Sequence, residues 1–142
     1  MISKKLIFST LLIAFGLVGC ASQLTGKERL PNGTLDEIAA TPKRQSTEAE
    51  NKAILLAIQA LAKDSNSVEI TDVWVDNTNQ ELVGFCGQAR GEESKGKMAP
   101  FTGLYGILTS AGGTVEAKNI KVGKAVTRMC HYMKYPISLP QS

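Results

Sequence analysis

Histidine, cysteine and aromatic residues are scarce in this sequence, and their scarcity limits its chemistry. Among 142 residues there are one histidine, His131, and three cysteines, and 6% of the residues are aromatic. A zinc or haem site needs clustered His and Cys ligands, which this composition does not supply. No Gly-x-Ser-x-Gly elbow occurs, and no glycine-rich loop precedes a predicted helix as a phosphate cradle requires. We therefore expect no metal, no cofactor and no catalytic residue, and predict that the protein is not an enzyme.

A strong excess of one charge is also missing. Lys and Arg number 16 against 13 Asp and Glu, and two of the basic residues, Lys4 and Lys5, stand at the extreme N terminus. No stretch of the chain combines concentrated Lys or Arg with interleaved aromatic residues, which is the pattern of a nucleic-acid-binding surface. Nucleic acid is therefore not an expected partner.

The longest apolar run, residues 6–18, is too short to cross a membrane permanently. As a helix, about 13 residues cover roughly 20 Å, whereas the hydrocarbon layer is ~30 Å thick. The run follows Lys4 and Lys5 and ends at Gly19 and Cys20, which is the three-part layout of an export signal. We predict a cleaved signal peptide over residues 1–19. An uncleaved anchor helix or a buried core helix is the alternative.

The residues Leu17, Val18, Gly19 and Cys20 resemble the lipobox of bacterial lipoproteins. The resemblance implies cleavage between Gly19 and Cys20 and acylation of Cys20, so that the lipid bilayer becomes a partner. Several buried acyl chains, at about 0.8 kcal/mol per CH₂, make such an anchor effectively permanent. Neither residue after Cys20 is the aspartate that retains enteric lipoproteins in the inner membrane, so the resemblance implies the periplasmic face of the outer membrane. A buried or disulfide-bonded Cys20 is the alternative.

Residues 20–45 are predicted to form a lipidated tether, followed by a compact periplasmic domain over residues 46–142. The tether segment is rich in Ser, Thr, Gly, Pro and charge, and its few apolar residues show no sustained period. A flexible linker of about 25 residues typically reaches roughly 25 to 30 Å. A short helix around residues 35–40 is left open.

The domain is predicted to begin with one amphipathic helix. Thr47 and Glu50 have the spacing of a capping box, and Ile54, Ile58 and Leu61 follow at i, i+4 and i+7. We assign this apolar stripe to the core rather than to a partner groove. Residues rich in strand formers follow at 68–75, 82–90, 101–109 and 124–135, with a short extra strand at 114–122. The order indicates an α+β fold, in which an antiparallel sheet of about four strands is covered on one face by the helix.

Cys86 and Cys130 are the thiols that remain once Cys20 is acylated, and export places them in an oxidising compartment. We predict a disulfide between them. The loop of about 45 residues that it closes corresponds to about 4 kcal/mol in the chain-entropy model. The alternative, a catalytic Cys130 activated by His131, is disfavoured because neighbouring residues on a strand point to opposite faces.

The run 57–108 is similar to a group of small exported bacterial proteins of unknown function. In that group a helix ends in a K-D-P-x-S break, and a V-C-G-x-V-N strand precedes a Gly-rich aromatic segment. The corresponding residues here are 61–68, 83–90 and 100–105, with Cys86 and Gly87 as the Cys-Gly pair. The resemblance implies a fold and an exported location, and it brings no activity.

A candidate partner surface lies on the polar excursion 91–100 and the aromatic segment after it. Its residues are Glu92, Glu93, Lys95, Lys97, Phe101 and Tyr105. A solvated charge run and core packing of the rings are the alternatives. The sequence as a whole favours a non-enzymatic envelope lipoprotein that binds another protein or has a structural role. An inhibitor or immunity protein against a cell-wall-degrading enzyme, with the 92–97 loop inserted into its target, is the second hypothesis.

Overall fold

A five-stranded antiparallel sheet is the middle layer of the protein in the computed structural model, which describes residues 25–62 and 67–138. The predicted signal peptide, Gly19 and Cys20 lie outside these residues. In chain order the elements are β1 (Arg29–Leu30), β2 (Gly33–Thr34), α1 (Leu35–Ala39), β3 (Lys43–Gln45), α2 (Glu48–Leu61), β4 (Glu69–Asp76), β5 (Leu82–Arg90), β6 (Glu92–Ser94), β7 (Lys97–Met98), β8 (Thr102–Ala111), β9 (Thr114–Gly123) and α3 (Lys124–Tyr132). The sheet has the order β3-β4-β5-β8-β9. The predicted α+β class and antiparallel sheet are confirmed, with five strands where about four were expected.

The predicted start of α2 is confirmed. Thr47 Oγ1 accepts a hydrogen bond from the Glu50 backbone N–H, and the Glu50 carboxylate accepts one from the Thr47 N–H. Arg44 on β3 adds a forked pair of hydrogen bonds to the same carboxylate, at 2.9 and 2.8 Å. The Arg44 guanidinium holds the pKa of Glu50 below its usual value, with the Thr47 N–H adding to the effect. This contact fixes the path from the edge strand into the helix.

The two faces of the sheet carry separate apolar cores. On one face α2 packs the buried Ile54 and Ile58 against Val73, Val75, Phe85, Ala89, Leu104 and Leu108. On the other face, Cys86, Tyr105 and Ile107 meet α3, α1 and the segments at both ends of the described chain. Consecutive strand residues point to opposite faces, so neighbours such as Phe85 and Cys86 belong to different cores. The sheet is therefore covered on both faces.

The prediction of a strand over residues 124–135 is wrong, because most of this segment is the helix α3. Four of its buried apolar residues recur at i, i+3, i+4 and i+7, which is a helical period: Val126, Met129, Cys130 and Met133. The helix lies close to β8, where a Cβ on Gly103 would be 2.4 Å from the Thr127 backbone nitrogen. The glycine is therefore required for this packing. The edge strand on this side of the sheet is instead β9, Thr114–Gly123, which agrees to within one residue with the extra strand predicted at 114–122.

The prediction of a tether over residues 20–45 is wrong from Arg29 onward. Leu30, Leu35 and Ile38 are buried in the core beneath α3. The short helix left open at 35–40 is present as α1, and a capping box between Thr34 and Glu37 begins it. Elements of two to five residues are too short to show a period in the sequence, so the pattern resembled that of a linker.

The predicted disulfide between Cys86 and Cys130 is confirmed. Both residues are fully buried, and their Cα atoms are 6.0 Å apart. Cys86 lies on the central strand β5, and Cys130 lies in α3. The bond therefore fastens the helix to the middle of the sheet.

Candidate functional site

A buried ion pair lies where the edge strand β3 meets β4. Lys43 pairs in register with Asp76, and their side chains are only 7% and 6% exposed. Lys43 Nζ lies 3.4 Å from Asp76 Oδ1 and donates to the carbonyl oxygens of Ile38 and Thr41, at 2.6 and 2.7 Å. The ammonium also lies 4.6 Å from the centre of the Tyr135 ring. The charge of Lys43 is thus surrounded by acceptors.

Asp76 is the centre of a larger set of hydrogen bonds. Its Oδ1 accepts from the Tyr135 hydroxyl at 2.8 Å, and its Oδ2 accepts from Asn32 Nδ2 at 3.1 Å and from the Gly84 N–H at 3.3 Å. Asn32 in turn accepts from the Tyr105 hydroxyl at 2.9 Å. We call the side chains of Asn32, Lys43, Asp76, Tyr105 and Tyr135 the Asp76 network. It joins the N-terminal segment, the sheet and the C-terminal segment.

Burial controls the protonation of the Asp76 network. Desolvation raises the pKa of Asp76, against the opposing effects of the Tyr135 hydrogen bond and the Lys43 charge. Desolvation lowers the pKa of Lys43, against the attraction of Asp76. The pKa values of Tyr105 and Tyr135 are raised by burial and by the Asp76 charge. Both hydroxyls therefore stay protonated and act as hydrogen-bond donors rather than as bases.

A cleft of about 350 Å³ opens beside the Asp76 network. Its lining residues are Asn32, Glu37, Ile38, Thr41, Asp76, Thr78, Gln80, Leu82 and Val83. The volume is at the lower end of the range for small-molecule sites. The polar atoms of Asn32 and Asp76 are already bonded within the network, and the Glu37 carboxylate accepts from the Thr34 N–H. The side chains of Asn32, Asp76 and Glu37 are therefore engaged within the protein.

The predicted charge cluster at 92–97 forms a hairpin rather than a loop. β6 and β7 pair with each other in a sheet of their own, separate from the main sheet, and every residue from 92 to 97 is exposed. Glu93 and Lys97 lie 3.8 Å apart as an ion pair. Glu92, Glu93, Lys95 and Lys97 are therefore brought together on one projecting element.

The two aromatic residues of the candidate partner surface lie in different places. Phe101 is partly exposed near the base of the hairpin, with the Arg90 guanidinium 4.5 Å from the centre of its ring. Tyr105 is fully buried beneath α3 and belongs to the Asp76 network. Tyr105 is therefore not part of a surface, and the alternative of core packing applies to it.

Helix α2 exposes two leucines, which the sequence patterns did not predict. Leu56 is 59% exposed and Leu61 is 72% exposed. Leu61 was assigned to the core stripe, but it is the last residue of α2, and the next residue is already extended. The exposure of Leu56 could have been predicted, because Leu56 lies opposite Ile54 and Ile58 on the helix. Leu61 follows Ile54 by seven residues and lies on the same side of the helix as Ile54, so Leu56 and Leu61 are two separate exposed apolar side chains on α2.

No thiol is available for nucleophilic chemistry among the residues that the structure describes. Cys130 is bonded to Cys86, so the adjacent His131 has no thiol to activate. The His131 Nε2 atom is buried and has no hydrogen-bond partner in the described part of the chain. In the same residues there is no group of three or more His, Cys, Asp or Glu that is arranged to hold a metal ion.

Comparison with known proteins gave no significant match to a family model, to a curated protein or to a solved structure. Within 25–62 and 67–138, no helix has both the length and the apolar character needed to span a bilayer.

Proposed function

We propose that this protein is a lipoprotein of the bacterial cell envelope, anchored through acylated Cys20 at the periplasmic face of the outer membrane. Its folded unit binds another envelope protein and performs no chemistry. The order of Lys4 and Lys5, the apolar run and the Gly19–Cys20 pair supports the anchor. The Cys86–Cys130 disulfide agrees with export, because such bonds persist in oxidising compartments.

The observation that supports protein binding is the exposure of two leucines on α2, Leu56 on its outer side and Leu61 at its C-terminal end. Exposing Leu56 and Leu61 to water has a free-energy cost, since burying a leucine side chain contributes about 1.5 to 3 kcal/mol. α2 covers the face of the sheet opposite the N-terminal segment that leads to Cys20. An anchor at Cys20 therefore directs α2 away from the bilayer, and the occupant we propose is an apolar surface of a second protein rather than lipid.

The anchor is tested by changing Cys20→Ala in the full chain. Loss of the acylated sulfur should leave an uncut precursor that incorporates no labelled palmitate. Palmitate that persists in the variant would refute the anchor.

The α2 surface is tested by changing Leu56→Glu and Leu61→Glu in the full-length lipoprotein. Chemical crosslinking in intact cells before detergent extraction should join the wild type to one envelope protein, and the variant should lose that product. The purified partner should then bind the variant at least about tenfold more weakly, since each apolar anchor of an interface contributes more than 1 kcal/mol. Leu82→Glu is the matched control, because Leu82 is an exposed leucine on another element. Equal crosslinking in all three proteins would contradict the proposal.

The second candidate, an inhibitor or immunity protein against a cell-wall-degrading enzyme, is favoured by one observation. The hairpin from Glu92 to Met98 has its own pairing, separate from the main sheet, and residues 92–97 are all exposed, so they are accessible to a target enzyme. In this case the wild-type chain should protect purified peptidoglycan from a lytic enzyme, and Glu93→Ala with Lys95→Ala should remove the protection. Protection that depends on Leu56 and Leu61 instead would assign the contact to α2.

A further inference from the structure

Basic charge is concentrated in the last part of the chain. From Thr114 to Ser138 there are five Lys and Arg residues and one acidic residue, Glu116. All five basic residues are exposed: Lys118, Lys121, Lys124, Arg128 and Lys134. The rest of the chain after residue 20 has more acidic than basic residues. Basic and acidic residues are therefore unevenly distributed along the chain, with an excess of basic residues in 114–138.

Four of these residues lie on one side of the molecule, and we call Lys118, Lys121, Lys124 and Arg128 the basic face. Lys118 and Lys121 on β9 pair in register with Ile107 and Tyr105. Both of these partners point to the face covered by α3. Neighbours across a pair of strands share a face of the sheet, so the two lysines point to that side as well. Lys124 and Arg128 are one helical turn apart on the exposed side of α3.

The charges of the basic face are largely free to act on a partner. Lys118 lies 3.8 Å from Glu116, an exposed pair of the kind that contributes little. Lys121, Lys124 and Arg128 form no ion pair with any residue that the structure describes. The basic face also lies next to the first described residues of the chain. Tyr132, one turn beyond Arg128, donates to Asp36 at 3.0 Å, and the Asp36 N–H donates to the Gly26 carbonyl.

This position brings the basic face close to the proposed anchor. Cys20 precedes Gly26 by about six residues, which span at most roughly 20 Å when fully extended. An acyl chain on Cys20 therefore holds the end of α3 close to the headgroups. Electrostatic attraction acts over a Debye length of about 8 to 10 Å at physiological salt, so the domain needs little further approach.

We propose that the basic face lies against the anionic phospholipid headgroups of the leaflet that holds the anchor. This inference rests on the proposed acylation of Cys20. Juxtamembrane Lys and Arg residues are attracted to anionic lipid surfaces, and they add a second membrane contact to an acyl anchor. The contact fixes the orientation of the domain and turns α2, on the opposite side of the sheet, toward the periplasm.

The test uses the full-length acylated protein in two kinds of vesicle, phosphatidylcholine alone and phosphatidylcholine mixed with phosphatidylglycerol. A membrane-impermeant reagent acylates exposed amines briefly, and mass spectrometry measures each lysine. Modification of Lys121 and Lys124 should be several-fold lower on the anionic vesicles, and high salt should restore it. Lys52 is exposed on α2, on the opposite side of the sheet, and should react equally in both. Equal reaction of Lys121 and Lys124 on the two vesicles would overturn the proposal.

A charge-reversed variant gives a second readout. Lys124→Glu should greatly reduce the protection of Lys121, whereas Lys52→Glu on α2, the same change in charge, should preserve it. Protection of Lys121 that survives in the first variant would overturn the assignment to the basic face. Flotation separates this outcome from failure of the anchor. Acylated protein floats with neutral vesicles whatever its orientation, so protein that does not float contradicts the lipoprotein proposal itself.

Discussion

In the Asp76 network, the loss of a single charged residue should strongly affect the stability of the fold. Removing an ion pair from water has a large desolvation cost, and neutral apolar substitutes for both partners are often equally stable. The cost of losing one partner is much greater, because the other charge remains buried. Lys43 and Asp76 are in this situation. Tyr135 also donates a hydrogen bond to Asp76, and Lys43 donates to two backbone carbonyl oxygens.

Lys43→Met should lower the free energy of unfolding by about 3 to 5 kcal/mol, because it leaves the Asp76 carboxylate without its counter-charge. The deficit should shrink in acid. An acid whose pKa is raised in the folded state takes up its proton more readily there than in the unfolded chain, so the penalty is absent at low pH and grows as the pH rises through the folded-state pKa of Asp76. Urea unfolding at a series of pH values measures both effects.

The matched control is Lys97→Met, which removes an exposed lysine from the pair with Glu93. Surface pairs contribute about 0 to 1 kcal/mol, so the control should stay close to the wild type. Similar losses in the two variants would show that the burial of Lys43 has no energetic consequence.

The disulfide was predictable from the sequence at this scale, whereas the Asp76 network was not. Once Cys20 is assigned to the anchor, Cys86 and Cys130 are the two remaining thiols of the sequence, so the pairing follows from composition. No sequence pattern distinguishes Lys43 and Asp76 from other charged residues. Their ion pair depends on which strand lies beside β4. Tyr105 was misplaced for the same reason, since an aromatic residue between a leucine and a glycine can lie in a core or at a surface.

At the scale of elements, helices and strands were predicted correctly where the local sequence showed a single clear pattern. The capping box located the start of α2, and β5 has the predicted bounds, Leu82–Arg90. α3 was predicted to be a strand because Val126, Thr127 and Tyr132 favour strands, although the spacing of its apolar residues was helical. Tertiary packing decided between the two signals, because the helical spacing places its apolar side on the sheet.

Removing the disulfide should lower the stability of the fold, because the covalent link between α3 and the middle of the sheet is lost. The double variant Cys86→Ala with Cys130→Ala should lose up to about 4 kcal/mol of unfolding free energy, as the chain-entropy model gives for a loop of about 45 residues. Dithiothreitol should destabilise the wild type by a similar amount and leave the variant unchanged. Thiol alkylation of the denatured, unreduced wild type should modify neither cysteine. Full alkylation of both would show that the bond does not form.

At the scale of the whole molecule, the N-terminal segment closes the second core. β1, β2 and α1 are too short to be stable alone, since an isolated helix below about 12 to 15 residues is marginal in water. They are held by contact with the sheet and α3, through Leu30, Leu35 and Ile38. The same contact brings the chain that leads to Cys20 to the side of the basic face, so the core that the sequence patterns did not reveal also sets the proposed orientation at the membrane.

Leu35→Ala distinguishes a core segment from a tether. Leu35 is fully buried, and truncating a buried leucine removes about 2 to 5 kcal/mol of unfolding free energy, whereas a leucine in a solvated tether would remove almost none. Leu56→Ala is the control, because Leu56 is 59% exposed on α2 and its truncation should change the unfolding free energy by less than about 1 kcal/mol. Urea unfolding of the purified monomer measures both variants. A Leu35→Ala protein as stable as the wild type would mean that residues 29–45 do not pack against the sheet, and the short distance between the anchor and the basic face would then no longer hold.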